Sequence, residues 1–125
     1  MLAGCGRESA DPRAAPNSAP PPVAAATAPE AVAGKLVAAA RREVEKGTLY
    51  EPGYHRIAYP GGDVPSGGVC TDLVIRAFRG AGLDLQQLVH EDMRANFAKY
   101  PKLWNLAAPD PHIDHRRVPN LMVYF

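Results

Sequence analysis

Between Thr48 and Gly68 the chain carries Pro52, Gly53, Pro60, Gly61, Gly62, Pro65, Gly67 and Gly68, a density of backbone breakers that excludes helix or strand there. This stretch must run as one long ordered loop. Tyr50, Tyr54 and Tyr59 lie within it and are placed to pin it through rings and hydroxyls. Whatever regular structure the chain forms has to lie on either side.

On the N-terminal side, Leu36, Ala40 and Val44 recur at fours with Val37 beside them, while Lys35, Arg41, Arg42, Glu43 and Glu45 take the other faces. That spacing predicts an amphipathic helix over 34–46, stopped by Gly47. After the loop, Leu73, Val74, Ala77 and Phe78 predict a second helix over 69–79, ended by Gly80 and Gly82. A third is predicted over 85–100 from Leu85, Leu88, Val89, Met93 and Phe97, closed by Pro101. Trp104 and Leu106 are expected to fold back onto it. Residues 107–117 read as a second polar loop, and the apolar stretch 118–125 supplies no clear strand pair. Any sheet is therefore formed by those last residues or is absent from the chain.

Residues 1–33 have a different character, with six of the thirteen prolines and eleven alanines and no sustained apolar period. They read as a disordered linker, leaving 34–125 as the folded domain. Met1-Leu2-Ala3-Gly4-Cys5 ends in the Leu-Ala-Gly-Cys pattern that resembles a bacterial lipobox, in which the cysteine thiol receives a diacylglyceryl group. On that reading Cys5 anchors an exported, periplasmic protein to a membrane, and residues 6–33 span on the order of 80 Å as an extended tether. No run of apolar residues is long enough for a spanning helix. With 14 Lys and Arg against 13 Asp and Glu, no basic stripe supports a nucleic-acid partner bound through phosphates.

Cys70 is the residue with the most chemistry. It falls in the first turn of the second helix, where unpaired amides and the helix dipole favour a thiolate, and Gly67 and Gly68 before it permit close approach of a substrate backbone. A small buried apolar thiol is the competing reading. Two cysteines 65 positions apart give no zinc frame, and His112 and His115 with Asp114 sit among arginines, so no metal or cofactor is expected. The block Asp114-His115-Arg116-Arg117 reads either as a salt-bridged turn or as a polar platform beside Cys70, with the arginines able to clamp a substrate carboxylate. His55 and His90 read as satisfied or solvent-facing.

Four segments in order carry a resemblance: Ala58-Tyr59-Pro60-Gly61-Gly62-Asp63-Val64-Pro65, Gly68-Val69-Cys70-Thr71-Asp72, the stretch from Leu85 to Met93, and Ile113 to Leu121. They resemble the bacterial domain-of-unknown-function family 1287, whose members are similar to NlpC/p60-type papain-fold cell-wall hydrolases. The resemblance implies an α+β papain-like fold, with Cys70 as nucleophile and Asp72, Asp114, His115, Arg116 and Arg117 as substrate-binding or orienting residues. It implies peptidoglycan or its fragments as partner. It also places the small sheet and its His-bearing segment after Phe125, which makes this chain mainly the helical N-terminal half of the family domain and leaves none of its four histidines matched to the base. The alternative is a non-catalytic envelope lipoprotein that binds a cell-wall fragment or a protein through the 50–65 loop and the Arg116-Arg117 face. A domain cut before its sheet should expose an apolar patch near Leu73, Val74 and Phe78.

Overall fold

The computed structural model describes residues 28–125, so the lipobox reading of Cys5 and most of the linker lie outside the described residues. Four α-helices run in the order α1 (Ala28–Glu45), α2 (Cys70–Gly80), α3 (Leu85–Asn96) and α4 (Val118–Tyr124), with single 3₁₀ turns at Phe97–Lys99 and Asp114–Arg116. Among the described residues there is no strand, only an isolated parallel bridge between Tyr50 and Gly68.

The first helix starts six residues before the expected boundary at Gly34, taking up part of the predicted linker. Alanine is the best helix former, and Pro29 sits in the first turn, where its missing N–H costs nothing. Its buried stripe is also rotated from the expected one. Ala39 is buried and Leu36, Ala40 and Glu43 are half-buried, whereas Val37 and Val44 face outward. The cause is the close crossing with α2. A methyl group on Gly80 would stand 2.6 Å from the Ala39 side chain, so two small residues let the backbones meet.

The core lies between α2, α3 and α4. Ile75, Leu85, Val89, Met93, Tyr100 and Leu121 form it, with Val74, Phe78, Phe97 and Tyr124 packed against it. Val74 and Phe78 are therefore core residues, not the expected exposed patch. The large exposed apolar side chains of the C-terminal part are instead Val118, Met122, Val123 and Phe125. Residues 118–124 form a helix, with Pro119 in its first turn and Leu121 on its buried side, and so supply no strand. The α-helical part of α3 ends at Asn96, because the chain tightens into the 3₁₀ turn that places Tyr100 in the core.

One buried amide ties the middle of the Gly- and Pro-rich loop to α3. Gln86, fully enclosed in the first turn of α3, donates to the carbonyls of Ala58 (2.8 Å) and Pro111 (3.0 Å) and accepts from the Gly62 amide (2.9 Å). His112 Nδ1 donates to the Ile57 carbonyl at 2.8 Å, which fixes the tautomer with the proton on that nitrogen. At Gly62 any Cβ would lie 2.1 Å from the Ala58 oxygen, so only glycine fits this turn.

Candidate functional site

Val69 is the N-cap of α2 and Cys70 its first residue. Valine has no side-chain acceptor, so the cap is built from the other direction. Asp72 Oδ2 accepts the Val69 amide at 2.7 Å, and the Asp72 amide donates to the Val69 carbonyl at 2.9 Å. The approach to this turn is made by Gly67 and Gly68, both at positive φ (68° and 152°). A side chain on Gly68 would press within 3.0 Å of the Asp72 carboxylate, and one on Gly67 within 2.7 Å of the Leu49 carbonyl.

Behind the turn stands a buried ion pair. Arg116 donates from Nε to Asp72 Oδ1 at 2.8 Å and from Nη2 to Oδ2 at 3.0 Å. Its Nη1 reaches the Gly53 carbonyl at 3.0 Å, and its own carbonyl accepts from the Thr71 hydroxyl at 2.8 Å. Three segments distant in sequence, around residues 53, 72 and 116, are thereby locked at the start of α2. On the flank, Arg76 donates to both Asp63 oxygens (2.8 and 3.0 Å) and to the Gly67 carbonyl (2.9 Å), holding the incoming loop against the helix. Burial alone would raise the Asp63 carboxyl, but the Arg76 hydrogen bonds and charge, the Val64 amide and Arg79 together pull it below its ordinary value.

Cys70 itself is exposed, and it is a free thiol. It opens on a groove of about 380 Å³ walled by Glu43 and Val44 of α1, by Thr48 and Tyr50 of the loop, and by Leu73 and Arg76 of α2. No imidazole is among the groove's lining residues. His55 lies on the loop at 3.9 Å from Glu51, whose amide bonds the Gly68 carbonyl at 2.8 Å.

The remaining predicted site residues are placed differently from one another. Asp114 is buried and accepts from the Asp110 amide (2.5 Å) and from Arg117 Nη1 (2.9 Å). Burial outweighs these partners and raises its carboxyl above the ordinary range. His115 is buried too. Burial brings its pKa down to about 4, with Asp72, Arg116, Asp84 and Arg79 as the charges it feels, so it is a neutral ring at neutral pH. Arg117 stacks its guanidinium on the Trp104 ring, 3.9 Å from the centroid. The expected carboxylate clamp is thus corrected for Arg116: its guanidinium is spent on Asp72 and Gly53 and is closed to a ligand. The polar platform beside Cys70 is corrected as well: Asp114 and His115 lie inside the molecule, none of the block's four residues lines the groove, and the Asp114–Arg117 ion pair makes the block a salt-bridged turn. What the structure brings together at the start of α2 is the buried Asp72–Arg116 ion pair, in the same helical turn as Cys70.

Residues 37–125 match the family model described as a domain of unknown function, DUF1287. The chain belongs to this family. The chain is also similar to the uncharacterized protein YijF of Escherichia coli (strain K12), at 56% identity over 87 residues. Those residues are 69% of this chain and 42% of that protein, so the chain spans less than half the length of the curated relative it matches. No solved structure matches the chain. The DUF1287 match begins inside α1 and takes in the loop, the Cys70 turn and the Arg116 block together.

Two features of this DUF1287 site were not readable from spacing. Asp72 could be seen as an acid in a first helical turn, but its pairing with a residue 44 positions away could not. Gln86 lies outside the apolar period that marks α3, and the carbonyls it meets explain its burial.

Proposed function

We propose that the chain belongs to an exported, lipid-anchored cysteine hydrolase of papain-like kind, acting on amide bonds of peptidoglycan stem peptides. The observation that carries this reading is Cys70: an exposed thiol, first residue of a helix, at the mouth of a groove large enough for a short peptide. In the reaction the Cys70 thiolate attacks the amide carbonyl carbon, and amides of the first helical turn steady the oxyanion. The carbon–nitrogen bond breaks, the amine leaves with a proton, and water then cleaves the thioester. The proton given up by the thiol is the one the departing amine takes, carried by a general base from outside the residues that line the groove. Asp72 and Arg116 act as positioning residues that fix the turn, not as substrate ligands. The papain-like α+β fold, the Cys5 anchor and the periplasmic location are parts of the same reading.

A thioester substrate tests the nucleophile without a general acid, because its leaving group requires no proton. Incubation of a Cys5→Ser chain with a thioester of an N-acetylated stem peptide should transfer the acyl group to Cys70 and release the leaving thiolate. The expected result is one acyl mass on Cys70 and none in a Cys70→Ser variant. An unmodified Cys70 overturns the proposal and favours a binding module whose ligand affinity survives Cys70→Ser.

A further inference from the structure

The loop after α3 forms a surface unrelated to the Cys70 groove. From Met93 to Pro109 the sequence has Arg94, Lys99 and Lys102 and no Asp or Glu, although the whole chain is nearly balanced at 14 basic to 13 acidic residues. This cationic stretch carries an apolar tip. Leu103 is 65% exposed and Trp104, the chain's one tryptophan, 38% exposed. The tip is seated on the body of the protein: Pro101, Trp104 and Leu106 close a small space against Met93 and Phe97, with the buried Asp114 and Asn120 at its floor. Arg117 stacks on Trp104, and Lys102 lies over the Phe97 ring while donating to the Phe97 carbonyl at 2.9 Å. Asn105 takes a left-handed conformation (φ 49°), turning the chain directly after the two apolar side chains.

An outward leucine and a part-exposed tryptophan on a supported turn, with Arg94, Lys99 and Lys102 along the stretch and the acid beneath Trp104, Asp114, buried and paired with Arg117, match the boundary of an anionic bilayer. Tryptophan prefers the headgroup level, leucine enters the acyl region, and lysine and arginine stay with the lipid phosphates. We infer that the 99–106 loop is a membrane-contact site that inserts Leu103 and Trp104 into the interface of a bilayer rich in anionic lipid. The contact is separate from lipidation of Cys5 and independent of the hydrolase reading. It would hold the body of the protein against the lipid in addition to any tether.

Because Trp104 is unique, its fluorescence reports this loop alone. The test uses the full chain as Cys5→Ser, mixed with vesicles of phosphatidylglycerol or of phosphatidylcholine. With phosphatidylglycerol, Trp104 emission should shift to the blue, brominated acyl chains should quench it, and the protein should sediment with the vesicles. Raising the salt from low to high ionic strength should weaken binding by roughly tenfold or more, since the cations act through a screened field. Leu103→Asp and Lys99→Glu, both at exposed positions, should each cut binding severalfold while the far-ultraviolet circular dichroism stays the same. The inference is overturned by an unchanged emission with phosphatidylglycerol vesicles, by equal binding to phosphatidylcholine, or by binding that both variants retain. It is also overturned by a blue shift that follows protein concentration without lipid, which would mean that the patch pairs copies of the chain.

Discussion

Arg116 and Asp72 meet as a two-point ion pair, guanidinium edge to carboxylate, with side-chain exposures of 4% and 3%. Removing one partner leaves the other charge buried and alone, which typically costs about 3–5 kcal/mol. Arg116→Ala should therefore lower the unfolding free energy by about that amount in urea titration. Asp72→Ala combined with it should cost much less than the sum of the two, by a coupling on the order of 1–3 kcal/mol. Additive losses would mean that the pair does not act as a unit.

Gln86→Leu keeps the volume but strands the carbonyls of Ala58 and Pro111 and the Gly62 amide. Each buried unsatisfied group costs about 1–3 kcal/mol, so the loss should be at least ~2 kcal/mol. Hydrogen exchange at the Gly62 amide should accelerate in the variant. An unchanged exchange rate there would show that the loop is held by something else.

The burial of His115 sets a pH dependence. Its pKa falls from the ordinary 6.5 to about 4 in the folded chain, so between those values the unfolded state takes up a proton that the folded state refuses. Stability should then decline as the pH drops from 6.5 toward 4, by up to ~3 kcal/mol. Asp114 works against part of this decline near the lower end, since its raised carboxyl binds a proton sooner in the folded chain. Thermal melts across this range should slope downward with acid, and His115→Gln should flatten the slope. A wild-type slope that His115→Gln leaves intact would assign it to other groups.

Tyr100 gives a check on the core. Burial and its hydrogen bond to the Asp92 carboxylate raise the phenol well above its usual value. Tyr100→Phe keeps the ring and strands one oxygen of Asp92, whose other oxygen keeps the Asn96 amide at 3.0 Å. A loss of about 1 kcal/mol is expected in urea titration, small beside the loss for Arg116→Ala. A larger loss would place the hydroxyl among the main supports of the core.

The helices were legible because period and breakers agree. Leu85, Val89 and Met93 mark α3, and Gly80 with Gly82 ends α2, and both readings match the observed elements closely. Cys70 at the start of α2 was legible for the same reason. The face of α1 was not, because Ala39 and Gly80 bury by being small, which a count of large apolar residues misses. Val118 to Tyr124 carries β-branched and aromatic residues yet forms a helix, since Pro119 suits a first turn and Leu121 packs into the core. The Arg116 block could not be placed from sequence, because whether an arginine faces water or a carboxylate depends on a partner that only the fold brings near.

Cys70 stands exposed at a helix start that Asp72 and Arg116 hold in place. The rate of its alkylation by iodoacetamide at neutral pH, measured on the Cys5→Ser chain beside N-acetylcysteine, tests that most directly. Cys70 should react several times faster than the free thiol. A rate equal to that of the free thiol or slower would mean that Cys70 is not an activated nucleophile.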